Sequence, residues 1–517
     1  LKPQTFMVPM SDGVRLATDV VLPPKGDGPF PVLLSRTPYG RKMGGVPLAA
    51  ALMGYAAVTQ DMRGRFDSEG DNLPFIGCGW VDHADGADTV AWLRQQPWCN
   101  GKVGTIGGSA GGITQNLMAA TAPEGLVAQY IVVAAANLYT DAAYTGGALR
   151  KEQIETWTRQ HGFDSKAMDV WRAHPAFDEY WVRFDSTAKH AVMNCPAVHV
   201  GGWFDTFSQG TIDSFVGRQY GGAAGARGTQ KLVMGPWTHG GQWSDKQGEL
   251  AFRDSRCPGP YDMLLWFAHY LKGEDNGVAK QPAVAYYVMG DTSDPKAPGN
   301  QWRYADRWPL PCAETAYYFH KGGRLSAEKP AEASAREEYT FDPADPCPTA
   351  GGRNLTIPAG PMDQTAVEGR GDVLNFTTEP LEAPLEITGR VVAKVFVSSS
   401  AADTDLSVRL SDVYPDGKSY LMADGMLRLR CRDSLAKPVP LEPGKAYEVT
   451  VDCWSTSVVI NTGHRVRVTV TSSNYPRFDV NPGTGKVWTE GCDVVKQTNR
   501  LFCETGRPSR IILPVVK

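Results

Sequence analysis

The sequence predicts a doubly wound, mostly parallel α/β layer with a short helical insertion, followed by an all-β jelly roll. Three observations carry this. Short apolar runs alternate with helical periodicity through the first half of the chain, the pattern of parallel strands joined by crossover helices. An aromatic-rich stretch at 137–193 interrupts that alternation. After about residue 275 helical periodicity fades and short alternating runs spaced by Pro/Gly turns take over, as in antiparallel sandwiches and jelly rolls. The expected boundaries are 1–136 and 194–309 for the two parts of the α/β layer, 137–193 for the insertion and 310–517 for the jelly roll.

Taken in order, residues 4–23 read as a β-hairpin. Phe6 to Met10 is followed by the turn Ser11-Asp-Gly13 and then by alternation from Val14. Phe30–Leu34 and Tyr55–Thr59 are continuous apolar runs, as expected of buried strands. Residues 83–96 repeat apolar positions at Ala87, Val90, Ala91 and Leu93, which gives a helix stopped by Pro97. Further strands are expected at Tyr130–Ala135, Ala197–Val200 and Lys231–Met234, and an amphipathic helix at Tyr261–Leu271. The insertion carries Tyr139, Tyr144, Trp157, Trp171, Tyr180 and Trp181. It is expected to cap the carboxyl ends of the strands, where open α/β sheets bind ligands. Alternating runs at 390–397, 406–410, 446–451 and 466–471 supply the jelly roll, and 326–338 reads as a loop.

The 517 residues are 42% hydrophobic and 21% charged, enough for large cores that need no disulfides to fold. A net charge of −4 predicts neither a nucleic-acid nor an anionic-membrane partner. No apolar run approaches the roughly 20 residues of a membrane-spanning helix. The ten cysteines are even in number, and Cys492 and Cys503 are the pair spaced to bridge a hairpin. Buried thiols are the equal alternative. The even count and Leu1 in place of methionine lean towards a secreted or periplasmic protein, with a cytoplasmic one left open. No cysteine or histidine cluster has zinc spacing.

Chemistry enters at Val103-Gly-Thr-Ile-Gly-Gly-Ser-Ala-Gly-Gly112. This is an apolar strand, then Gly107-x-Ser109-x-Gly111, then a helix. A bare Gly-x-Ser-x-Gly recurs by chance. Between strand and helix it is the elbow that lifts a nucleophilic serine off the end of a sheet. Such a serine needs a histidine base and an acid that holds the histidine, in the order Ser, Asp or Glu, His along an α/β-hydrolase chain. Of nine histidines, His239 directly follows the apolar strand 231–234. His199 lies inside a strand and is expected to face the core. His83, His161, His174 and His190 precede the acid, His269 sits in a helix, and His320 and His464 fall in the β-rich part. Asp205, placed after a turn at Gly201-Gly202, is the expected acid, with a helix cap as its alternative role.

At this point the chain resembles the cocaine esterase / X-prolyl dipeptidyl-peptidase family, which includes α-amino acid ester hydrolases. The resemblance rests on Thr37-Pro-Tyr-Gly40, Gln60-Asp-Met-Arg-Gly-Arg65, Asp67-Ser-Glu-Gly70, Pro97 to Gly104, Gly107-Gly-Ser-Ala-Gly111, Gly201-Gly-Trp-Phe-Asp205 and Gly235-Pro-Trp-Thr-His-Gly240. It continues through Leu421–Arg428, Asn461–His464 and Ser473–Arg477. The resemblance implies that the Tyr39 hydroxyl and the backbone N–H of Ala110 form the oxyanion hole. Many members carry tyrosine where this chain has Ala110; a backbone donor is indifferent to that change. Phe207 resembles a pocket-lining aromatic of the family. Tyr144 and Trp203 are further expected pocket residues. Asp61, Arg63, Arg65 and His464 read as structural.

The expected function is therefore a serine hydrolase acting on carboxylic esters or amides through an acyl-enzyme, without metal or organic cofactor. Its partner is a small ester or amide, or a short peptide; the resemblance also implies homo-oligomers, although no stretch marks an interface. X-prolyl dipeptidyl-peptidase and α-amino acid ester hydrolase or β-lactam acylase are the alternatives. Both need a carboxylate for the substrate amine. Asp141 and Glu155 are the candidates for the first, and Gly112 offers none for the second. A non-catalytic binding protein is the reading from another class, and the presence of Ser109, Asp205, His239 and Tyr39 together argues against it.

Overall fold

Apolar runs too short for helices become the strands of one ten-stranded sheet. The computed structural model describes residues 1–43, 45–489 and 491–516. In chain order the strands are β1 (Gln4–Pro9), β2 (Arg15–Val21), β3 (Phe30–Thr37), β4 (Ala56–Asp61), β5 (Cys99–Gly108), β6 (Leu126–Val132), β7 (Ala197–Phe204), β8 (Lys231–Thr238), β9 (Val284–Val288) and β10 (Gln301–Ala305). Their spatial order is β1-β2-β4-β3-β5-β6-β7-β8-β9-β10. Strands β3 to β9 run parallel, and the edge pairings β1–β2, β2–β4 and β9–β10 are antiparallel.

The helices of the α/β layer and the insertion are, in chain order, α1 (Gly45–Leu52), α2 (Asp85–Arg94), α3 (Ala110–Ala119), α4 (Lys151–Gln160), α5 (Lys166–Ala173), α6 (Glu179–Val182), α7 (Ser208–Gly221) and α8 (Met263–Lys272). Side chains alternate across a strand, so β3 feeds two cores. Val32 and Leu34 pack with Val90 and Leu93 of α2 and Met118 of α3. Leu33 on the other face packs with Trp266, Phe267 and Leu271 of α8. Helices on both faces explain why the central strands are apolar throughout.

The insertion contains α4, α5 and α6, and also a two-residue hairpin, Tyr144–Thr145 with Ala148–Leu149, that periodicity did not announce. Its turn lies against the β-rich part. A Cβ on Gly146 would stand 2.1 Å from the Met426 carbonyl oxygen, and the Arg428 amide donates to the Gly146 carbonyl at 2.8 Å. The C-terminal part is a jelly-roll sandwich. Its larger sheet centres on Leu385–Ser399, paired with Tyr447–Ile460, Gln497–Glu504 and Arg510–Val515. Its smaller sheet joins Leu374–Thr377, Arg465–Thr471, Asp405–Val413 and Ser419–Arg428.

Three expectations are corrected. The strand placed at 130–135 is β6, 126–132; the chain leaves the sheet at Val133, whose φ is +43°. Gly201 and Gly202 are not a turn but lie inside β7, paired with Met234 and Gly235 of β8, and a Cβ on Gly202 would come within 2.1 Å of the Trp237 carbonyl oxygen. All ten cysteines are free thiols. Cys503 is buried in the sandwich core, while Cys492 is a partly exposed loop residue, so the hairpin bridge is not made. No described helix is long and apolar enough to cross a membrane.

Candidate active site

Ser109, Asp205, His239 and Tyr39 follow the carboxyl ends of β5, β7, β8 and β3. These strands lie side by side apart from β6, so four distant stretches of sequence meet at one rim. Ser109 sits between β5 and α3 with φ +56° and ψ −124°, a strained conformation that costs a non-glycine residue about 1–3 kcal/mol. Tight packing enforces it. A Cβ on Gly107 would approach the Gly111 carbonyl oxygen to 2.8 Å, and one on Gly112 would approach Ala134 Cβ to 2.7 Å.

His239 Nε2 lies 2.9 Å from Ser109 Oγ, and His239 Nδ1 lies 2.7 Å from Asp205 Oδ1. Asp205 is fully buried. Its carboxylate faces His239, and the first turn of α7 starts beyond it at Ser208. Such a chain can pass a proton from the hydroxyl to the imidazole while the carboxylate fixes the ring's tautomer. The Tyr39 hydroxyl is 3.3 Å from Ser109 Oγ. Ala110 is the first residue of α3, where a backbone N–H has no partner within its own helix. His199 is buried on β7 and bonds Gln230 at 3.1 Å. Burial and the charge of Arg218 hold its imidazole well below the usual range.

Beside Ser109 opens a narrow cavity lined by Phe75, Ala110, Ile113, Leu138, Ala142, Gln153, Ile154, Trp157, Trp171, Phe207 and Leu355. Gln153 is the one amide among them, and among the described residues no charged side chain lines it. Phe207 stands edge-on to His239, ring centres 5.4 Å apart. Tyr144 and Trp203 are elsewhere, and both expectations are corrected. Tyr144 is buried against Tyr139 and donates its hydroxyl to the Trp171 carbonyl at 3.0 Å. Trp203 is buried in the sandwich-side core and donates to the Tyr287 carbonyl at 2.7 Å. Neither ring lines the cavity.

This arrangement can be set beside known proteins. Over 99% of its length the chain is 35% identical to the cocaine esterase of Rhodococcus sp. (strain MB1 Bresler), covering 98% of that protein. The chain belongs to the cocaine esterase / X-Pro dipeptidyl-peptidase family of serine hydrolases. Residues 12–167 and 159–241 match the model of the X-Pro dipeptidyl-peptidase (S15) family. Residues 276–512 match that of the X-Pro dipeptidyl-peptidase C-terminal non-catalytic domain. Among solved structures, an aminopeptidase from the marine sediment archaeon Thaumarchaeota archaeon superposes with a TM-score of 0.85 at 27% identity, covering 100% of this chain and 96% of that one. An α-amino acid ester hydrolase gives 0.82 at 28% identity with the same coverage.

Several residues at this family member's site carry no local signal. Phe75 and Leu355 come from loops, and Trp157 and Trp171 are two among many cap aromatics. Arg65, expected to be structural, ties the site together. Its guanidinium donates to the Pro38 carbonyl at 3.1 Å, to the Gly162 carbonyl at 2.9 Å and to the His161 carbonyl. It thus links the Tyr39 loop to the end of α4. The His161 ring lies 4.6 Å from that of Tyr39; burial and Arg65 keep its pKa below the usual value. His464 is buried away from the site, bonded to Asp412 at 2.8 Å.

Proposed function

We propose that the chain is a carboxylic ester hydrolase with an apolar acyl pocket, working through a Ser109–His239–Asp205 triad. The observation that carries this is the relay of 2.9 and 2.7 Å opening directly on an uncharged, aromatic-walled cavity. His239 takes the Ser109 proton as Oγ attacks the ester carbonyl. Tyr39 and the Ala110 N–H receive the developing oxyanion, each donor worth about 10²–10³-fold in rate. His239 then protonates the departing alcohol, and water repeats the sequence on the acyl-enzyme. The acyl group lies against Trp157, Trp171 and Phe207. Burying it there yields roughly 25 cal/mol per Å² of apolar surface.

The peptidase and α-amino acid ester readings require a carboxylate for the substrate's ammonium group. Asp141 accepts the backbone N–H groups of Ala136 and Asn137 at 2.9 Å each. Glu155 pairs with Lys151 and Arg172. Neither lines the cavity, which favours a neutral acyl group. The test is turnover of p-nitrophenyl butyrate against Gly-Pro-p-nitroanilide, with fluorophosphonate labelling read by intact mass. The ester is expected to be hydrolysed and Ser109→Ala to lose both label and about 10⁶-fold in kcat. Activity on the anilide alone would reverse the assignment, and full activity in Ser109→Ala would end it.

A further inference from the structure

The Tyr39 hydroxyl has a second partner besides Ser109. Trp157 Nε1 lies 3.2 Å from it. An indole N–H only donates, whereas a phenol offers one proton and two lone pairs. The tyrosine oxygen therefore accepts from Trp157, and its single proton is left to point away, towards Ser109 Oγ at 3.3 Å. That is the direction in which the oxyanion forms.

The indole is held firmly enough to impose this. It is buried on α4, stacks on Phe75 with an interplanar angle of 4°, and packs against Phe163 at 4.8 Å. Arg65 fixes the end of α4 and the Tyr39 loop relative to each other. The same indole lines the acyl cavity.

We propose that Trp157 is a positioning residue of the esterase reaction: its N–H aims the Tyr39 proton at the oxyanion while its ring receives the acyl group, so that acyl recognition and oxyanion stabilisation meet in one side chain. The role rests on the reading of Tyr39 as an oxyanion donor. Ring contact alone predicts an effect on KM that grows with acyl size. Donation to Tyr39 predicts an effect on kcat that is independent of acyl size and vanishes when Tyr39 has no hydroxyl to aim.

The experiment is a double-mutant cycle on the full chain, with p-nitrophenyl acetate and p-nitrophenyl butyrate as substrates. Tyr39→Phe is expected to lower kcat about 10²-fold. Trp157→Phe is expected to lower it about tenfold on both esters, the scale of one lost hydrogen bond, with KM for the acetate changed by less than about twofold. In the Tyr39→Phe background, Trp157→Phe is expected to cost nothing further, beyond about twofold. The proposal is overturned if the two losses multiply, or if Trp157→Phe changes only KM for the butyrate. Wild-type kcat in Tyr39→Phe would instead remove the oxyanion reading, and this role with it. Should Trp157→Phe not fold, Trp157→Leu, which also lacks the donor, carries the same cycle.

Discussion

Asp205 shows how single residues sustain the site. Its buried carboxylate bonds His239, and two guanidinium groups hold the backbone of the segment that bears it. Arg150 of the cap donates to the Thr206 carbonyl at 3.0 Å, and Arg353 of the jelly roll donates to the Trp203 carbonyl at 3.0 Å. Arg150 is itself buried, and burial together with Arg477 brings its pKa down to about 9. Asp141 lies under the same arginine, its carbonyl bonded to Arg150. Burial pushes its carboxyl up to about 6 against the pull of the Asn137 and Ala136 amides, with Asp213 adding to the rise. The sign follows. A folded-state pKa above the unfolded 3.8 makes the ionised form the costly one. Its contribution is full below that unfolded value and lost as pH rises through about 6. Asp141→Asn removes the titration and keeps an acceptor for the two amides. Urea unfolding should show the variant gaining on wild type by about 2–3 kcal/mol between pH 4 and 7.5. Parallel stability curves over that range would mean the carboxylate is not strained.

At the scale of elements, the elbow is the most constrained feature. Gly112 sits in the first turn of α3, and a Cβ there would meet Val132 O at 3.0 Å as well as Ala134 Cβ. Gly112→Ala should lift α3 from β6 and cost about 1–3 kcal/mol. The Ala110 N–H moves with the helix, so labelling of Ser109 by a fluorophosphonate should slow by at least about tenfold. Wild-type melting temperature and labelling rate together would contradict this. The same tightness made the elbow readable from sequence, since a Cβ at Gly107 or Gly112 would press on the Gly111 carbonyl or on Ala134. The placement of Asp205 and His239 beside Ser109 was readable because each follows a buried apolar strand, and strand ends face one rim in a parallel sheet. Aromatic composition carried no such direction. Tyr144 and Trp203 are aromatic like Trp157 and Phe207, yet they are buried outside the cavity lining. Phe75 and Leu355 sit in loops without periodicity, and only packing brings them to Ser109. Cysteine parity was equally mute, because a bridge depends on Cβ vectors that spacing does not encode.

Over the whole molecule, the jelly roll is part of the site's foundation. Domains joined by polar, modest interfaces move and melt separately; here the seam is a core. Trp203, Phe204, Phe215, Leu232 and Met234 from the α/β layer lie in one buried cluster with Val391, Val395, Val408, Leu410, Val451 and Val458 of the sandwich. The backbone crosses the seam as well: the Met289 amide donates to Ser457 O at 3.0 Å, and the Val459 amide to Met289 O at 2.9 Å. Arg353 adds a polar pin, bonding Trp203 O on one side and Asp424 Oδ1 at 3.0 Å on the other. Independent melting of either half would expose its share of that apolar cluster, at about 25 cal/mol per Å². Calorimetry should therefore give a single transition whose van't Hoff and calorimetric enthalpies agree, unusual for a chain of this length. Arg353→Met unpairs one side of buried Asp424 and should destabilise the fold by about 3–5 kcal/mol, moving that transition down without splitting it. It should also lower kcat on p-nitrophenyl butyrate, because the Asp205 segment loses its pin. Two resolved transitions, or a destabilised variant with unchanged kcat, would mean that the sandwich merely adjoins the catalytic layer and does not hold it.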